Sequence, residues 1–109
     1  MSKFYITSTL PYTNSSPHIG FALEIIQTDV VARYHRLLEE NVFFNTGTDE
    51  HGLKIYRATL DSKLEPQTYV DKYAGEFKEL TKLLNISNTY FVRTTDKQHI
   101  ETAQEFWRR

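Results

Sequence analysis

Three stretches of the first fifty-two residues decide the fold. They are Phe4-Tyr5-Ile6-Thr7-Ser8-Thr9, then Leu10-Pro11-Tyr12-Thr13-Asn14-Ser15-Ser16-Pro17-His18-Ile19-Gly20, then Thr46-Gly47-Thr48-Asp49-Glu50-His51-Gly52. The first is β-rich and apolar and reads as a strand over Lys3–Thr9. The second, with two prolines, Asn14 and two serines, reads as a loop. Its Pro-His-Ile-Gly end opens a helical pattern running from His18 or Ile19 to Glu40, with Ser15 or Ser16 as N-cap and Pro17 near the first turn. Ile19, Leu23, Ile26, Val30, Tyr34 and Leu37 recur at three- and four-residue spacing and mark the apolar face expected of that helix.

Working outward, Asn41 closes the helix and Val42-Phe43-Phe44-Asn45-Thr46 forms a short apolar strand, followed by a loop over Gly47–Gly52. Leu53–Ser62 reads as a short helix. Pro66 opens a longer one to about Leu84, with Tyr69, Tyr73, Phe77, Leu80 and Leu84 on one face. Asn85–Asn88 is a turn and Tyr90-Phe91-Val92-Arg93 a third strand. Thr95 or Asp96 caps a last helix striped with Ile100, Ala103, Phe106 and Trp107. The order β-α-β-α-α-β-α predicts an α/β fold with a parallel sheet and right-handed crossovers. Three parallel strands normally need cover on both faces. The chain also stops within an amphipathic pattern, so a piece of a larger domain is expected.

Composition narrows the class. The chain has 109 residues, with 39% hydrophobic, 14% aromatic and 25% charged residues, enough for one small domain with a real core. A net charge of −1 gives no basic footprint for nucleic acid. No cysteine is present, which excludes disulfides and thiolate metal sites in this segment. No signal-peptide core and no run near the roughly 18 apolar residues of a membrane helix occurs. A cytoplasmic protein without a membrane is expected.

The loop and helix start have the ingredients of a nucleotide site. Ligands of open α/β sheets bind beyond the carboxyl ends of the strands, where free amides and the helix dipole favour phosphate. Gly20, lacking a Cβ, lets a ligand approach closely. His18 can donate a hydrogen bond to a phosphoryl oxygen as charge builds, an effect worth roughly 3–4 kcal/mol when well placed. Alone, however, a histidine at a helix start is more often a cap or a surface residue. Asp49 at a strand end suits a cation but also suits a turn, with Glu50 and His51 capping the next helix. The three adjacent residues Asp49, Glu50 and His51 point in different directions, so no metal site is expected in this segment. Tyr69, Tyr73 and Phe77 read as core rather than as a base-stacking platform.

The longer string resolves these choices. The strand, Leu-Pro-Tyr-x-Asn-x-x-Pro-His-Ile-Gly, Gln27-x-Asp29-Val30-x-Ala32-Arg33-Tyr34 and Thr-Gly-Thr-Asp-Glu-His-Gly together resemble methionyl-tRNA synthetases, of class I. Tyr56-Arg57-Ala58 and Arg93-Thr94-Thr95 extend the likeness along essentially the whole chain. The resemblance implies the amino-terminal part, residues 1–109, of a Rossmann-like catalytic domain that activates L-methionine with ATP and Mg2+ and transfers it to methionine tRNA. It implies that His18 stabilises the transition state of adenylation. It assigns Pro11, Asn14, Pro17, His18, Gly20 and Phe21 to ATP binding, and Thr9, Leu10, Tyr12 and Asp49 to methionine. The family's zinc knob, Lys-x-Ser-Lys-Ser loop and helical anticodon-binding domain have no counterpart in these residues, so the 109-residue piece alone is expected to be inactive.

One position departs from the family pattern. The signature ends His-x-Gly-His, and Phe21 stands where the second histidine belongs. Phenylalanine cannot hydrogen-bond a phosphate. Either Phe21 packs against the sheet while His18 and a later lysine loop suffice, or adenylation is impaired. Two other classes stay open on sequence alone: a different nucleotidyl transferase with a His-x-Gly-His-like turn, and a non-catalytic module that binds a partner.

Overall fold

A computed structural model describes residues 1–109. The elements run β1 (Lys3–Thr7), α1 (Ile19–Leu37), β2 (Asn41–Thr48), α2 (Leu53–Ser62), α3 (Pro66–Leu83), β3 (Tyr90–Arg93) and α4 (Lys97–Arg108). The strands pair in parallel in the order β1-β2-β3, with Ile6 opposite Phe44 and Thr46 opposite Phe91. β2 is longer than the sequence suggested. Gly47 and Thr48 stay in the sheet because they pair with Val92 and Arg93 of β3. Gly47 is required there, since a Cβ would lie 1.8 Å from the Val92 carbonyl oxygen.

Strand alternation sorts the side chains into two faces. Ile6, Val42, Phe44 and Phe91 face the helices, where they meet Phe21, Ile25 and Ala32 of α1 and Phe77 of α3. The α3 stripe is read correctly: Tyr69 and Phe77 are buried, and Tyr73, Leu80 and Leu84 are half-buried. On the other face Tyr5 stacks on Phe43 at 5.8 Å between ring centres, and both rings stay exposed. The molecule is accordingly thin, with extents of 49 × 39 × 16 Å.

The α1 face is a correction. Ile19, Leu23, Ile26, Val30, Tyr34 and Leu37 point outward and are exposed, whereas Phe21, Ile25, Asp29 and Ala32 point inward. Apolar spacing misleads here because the inward row carries a carboxylate. Asp29 accepts hydrogen bonds from the Ser87 amide (2.8 Å), the Ser87 hydroxyl and Arg33 Nε (2.7 Å), which together ties α1 to the turn before β3. The α4 stripe is also open, with Phe106 and Trp107 at the surface.

Burial raises the Asp29 carboxyl pKa, but the hydrogen bonds from Ser87 and Arg33 outweigh it and hold the group below its ordinary value of 3.8. A depressed carboxylate contributes stability that is complete above the unfolded value and lost as pH falls through the folded one. Asp29→Asn is therefore expected to lower stability at neutral pH and to flatten its decline under acid. Urea unfolding at neutral pH and at about pH 3 measures both effects.

Phe21 packs edge-on against Phe77, with ring centres 5.1 Å apart and only 6% of the residue exposed. The ring thus fills the core between α1 and α3. Phe21→Ala should cost about 3–5 kcal/mol of stability, read as a lower urea midpoint.

Candidate active site

The loop after β1 and the end of β2 meet through the backbone. The Asp49 amide donates to the Pro11 carbonyl (2.9 Å), and the Thr13 amide donates to the Asp49 carbonyl (3.1 Å). This parallel bridge between Tyr12 and Asp49 brings the Asp49 backbone beside the Leu10-Pro11-Tyr12 turn, past the carboxyl ends of two adjacent strands. Leu10 and Pro11 are half-buried and Tyr12 is exposed, so this turn borders solvent. Below it the Ser8 and Thr46 hydroxyls share a buried 2.7 Å hydrogen bond that locks β1 to β2.

Thr9 is held differently. Its amide donates to Glu24 Oε1 of α1 at 2.6 Å, and its hydroxyl donates to the same oxygen. Glu24 thus anchors the end of β1 to the second turn of α1 and occupies the Thr9 amide. Nothing in the local sequence marked it, because the pair spans fifteen residues and a loop. Asn14 is fixed through its carbonyl, which accepts from the Tyr69 hydroxyl at 2.9 Å.

The α1 N-cap is His18, not Ser15 or Ser16. Its backbone is extended, and its Nδ1 accepts from the Gly20 amide at 3.0 Å. An imidazole that accepts at Nδ1 carries its proton on Nε2 when neutral. The capping bond therefore leaves His18 with a donor directed away from the helix, on an exposed ring. Cap and donor are two ends of one side chain. A Cβ at Gly20 would lie 2.8 Å from His18 Cε1, so a larger residue there would displace the capping ring. Pro17 precedes the cap and is half-buried, and the Phe21 ring is withdrawn into the core.

The residues named from sequence thus fall into two groups. Pro11, Tyr12 and Asp49 are joined by the bridge, with Leu10 in the same turn; His18 and Gly20 are joined by the cap. Glu24, bonded to Thr9, links the first group to the helix that begins with the second. No hydrogen bond runs directly from His18 to the first group.

Asp49, Glu50 and His51 diverge. Asp49 Oδ1 accepts from the His51 amide at 3.3 Å, and the His51 ring meets the Thr94 carbonyl at 3.2 Å through Nε2. Glu50 does not cap α2, whose N-cap is Gly52. Its carboxylate is fully buried and paired with Arg93. The largest surface cleft, about 830 Å³, lies between Pro17 and α3 and includes neither Asp49 nor Tyr12. Its lining mixes Lys72 and Lys82 with Glu76 and Glu79, a set with no preference for either phosphate or a thioether. No helix is long and apolar enough to cross a membrane.

Comparison with known proteins identifies the family and the fold. Residues 4–109 match the family described as tRNA synthetases class I (M). A methionine–tRNA ligase of Thermotoga maritima is 51% identical over 95% of this chain and 16% of its own length. One of Rhizobium meliloti is 45% identical over 99% of this chain and 21% of its own. The solved structure of Mycobacterium tuberculosis methionyl-tRNA synthetase in complex with methionyl-adenylate superposes with a TM-score of 0.97 at 41% identity, covering 99% of this chain and 21% of that one. The chain thus spans about a fifth of the length of these relatives or less. With a Rossmann-like parallel sheet, the signature turn at the head of α1 and a family match along nearly its whole length, this chain belongs to the class I (M) tRNA synthetases.

Proposed function

We propose that these residues form the methionine- and ATP-binding head of a methionine–tRNA ligase. The observation that carries the reading is the Tyr12–Asp49 backbone bridge, which brings an acidic residue next to an apolar and aromatic turn at the strand ends. An amino acid with a cationic ammonium and an uncharged thioether needs that pairing. Asp49 binds the α-ammonium, Leu10 and Tyr12 face the rest of methionine, and Thr9 holds the turn through Glu24.

ATP, entering as its Mg2+ complex, lies over the turn Pro11–Phe21. Pro11, Asn14, Pro17 and Gly20 shape that turn, and Phe21 supports it from the core. A methionine carboxylate oxygen attacks the α-phosphorus, the bond to the bridging oxygen breaks, and pyrophosphate leaves with the electron pair. His18 donates from Nε2 to a phosphoryl oxygen as negative charge accumulates, so its contribution is greatest in the transition state. Transfer of the methionyl group to the terminal ribose of methionine tRNA follows. With a net charge of −1, this segment offers tRNA little electrostatic grip, so tRNA is held mainly by other parts of a ligase.

Methionine-dependent exchange of pyrophosphate into ATP by the gene product that carries this chain tests the reading. Exchange that requires methionine supports it, and exchange driven by leucine or isoleucine instead would overturn it. The 109 residues alone are expected to give no exchange.

A further inference from the structure

We infer that Arg93 is a positioning residue for the amino-acid subsite, acting through Glu50 on the orientation of Asp49. The inference rests on the proposed role of Asp49 as the ammonium ligand. The Asp49 backbone is pinned on its amino side by the bond from its amide to Pro11, and its carbonyl accepts from the Thr13 amide. On its carboxyl side the next residue, Glu50, is anchored completely. The Glu50 amide donates to the Thr94 hydroxyl at 2.7 Å. Its carboxylate, with no exposed side-chain surface, accepts from Arg93 Nε at 2.8 Å, from Arg93 Nη2, and from the Thr48 and Thr95 hydroxyls at 3.0 and 3.2 Å.

Arg93 stands at the end of β3 and makes a second tie. Its Nη2 also donates to Asp71 of α3 at 2.6 Å. One guanidinium therefore fixes the loop after β2 relative to both β3 and α3. The hydrogen bonds that Arg93 donates to Glu50 outweigh the effect of burial and hold Arg93 firmly protonated, and the Asp71 carboxyl is held below its ordinary pKa mainly by its bond from Arg93. A buried carboxylate that loses such a partner cannot stay in place unpaired. Glu50, left with only the Thr48 and Thr95 hydroxyls, would shift, and the peptide it shares with Asp49 would be held by the Thr13 and Thr94 bonds alone. Lysine cannot substitute, because a point charge lacks the planar fork that reaches Glu50 through two nitrogens and Asp71 as well.

The tests are Arg93→Lys and the isosteric Glu50→Gln, each in the exchange-competent gene product. The KM for methionine should rise about tenfold or more, while the KM for ATP stays within about twofold, since His18 and its turn are fixed by separate contacts. A purely structural role would instead raise both KM values together or lower the active fraction alone. In the same gene product, amide hydrogen exchange supplies an independent readout. The Asp49 and Glu50 amides should exchange faster in the variants, and the amides of α1 should not. Unchanged methionine KM, or equal acceleration of exchange at all sites, would overturn the inference. If the unmodified gene product shows no methionine-dependent exchange, the functional reading fails, and the amide measurement still decides whether Arg93 holds the loop.

Discussion

Asp49→Ala in the exchange-competent gene product is expected to lower kcat/KM for methionine by about a hundredfold, equivalent to about 3 kcal/mol of lost binding to a charged, partly desolvated ammonium. The KM for ATP should barely move. The discriminating variant is Asp49→Asn. Asp49 is also a turn residue, because its Oδ1 accepts the His51 amide across two residues. Asparagine retains that acceptor and lacks only the charge. If Asp49 served the turn alone, asparagine would be nearly neutral. If it neutralises the ammonium, asparagine should lose most of what alanine loses. Steady-state exchange at varied methionine separates the two outcomes. A near-wild-type Asp49→Asn would exclude the ammonium role, whatever alanine does.

The two faces of this site differ in how far they could be read from sequence. Element order and the parallel sheet follow from local patterns, because α3 buries the stripe that its spacing shows and Tyr90–Arg93 is β-rich and bounded by polar turns. The α1 face was misassigned for a physical reason. Its core row includes Asp29, whose burial depends on Ser87, a residue 58 positions later. Hydrophobic periodicity counts a carboxylate as outward and therefore selects the opposite stripe. The same limit hides Glu50–Arg93, separated by 43 positions, and Glu24–Thr9. Polar pairs formed across a sheet leave no periodic trace in either partner. The exposed row on α1 and the bare Tyr5–Phe43 face fit a two-layer unit whose relatives are about five times longer. Parallel sheets with both faces covered are the rule, and here one face still displays aromatic side chains.

His18 joins these threads, since Nδ1 caps α1 and the proposed transition-state role falls to Nε2. His18→Ala should reduce methionine-dependent exchange by about 10²–10³-fold, the range for removing one preorganised donor to a developing oxyanion. It should also cost about 1 kcal/mol of stability, because the Gly20 amide loses its cap. Activity loss alone would not separate the two, because a frayed helix start would also displace the turn. His18→Ser does separate them. A serine hydroxyl is among the favoured N-cap acceptors, so it should return stability to near wild type, yet it is too short to reach where Nε2 stands. The expected result is a variant that unfolds like the wild type and exchanges pyrophosphate as poorly as His18→Ala. Recovery of exchange by serine would mean that the histidine acts only as a cap. The transition-state role would then fall to other groups, even though the family membership of the chain would be unaffected.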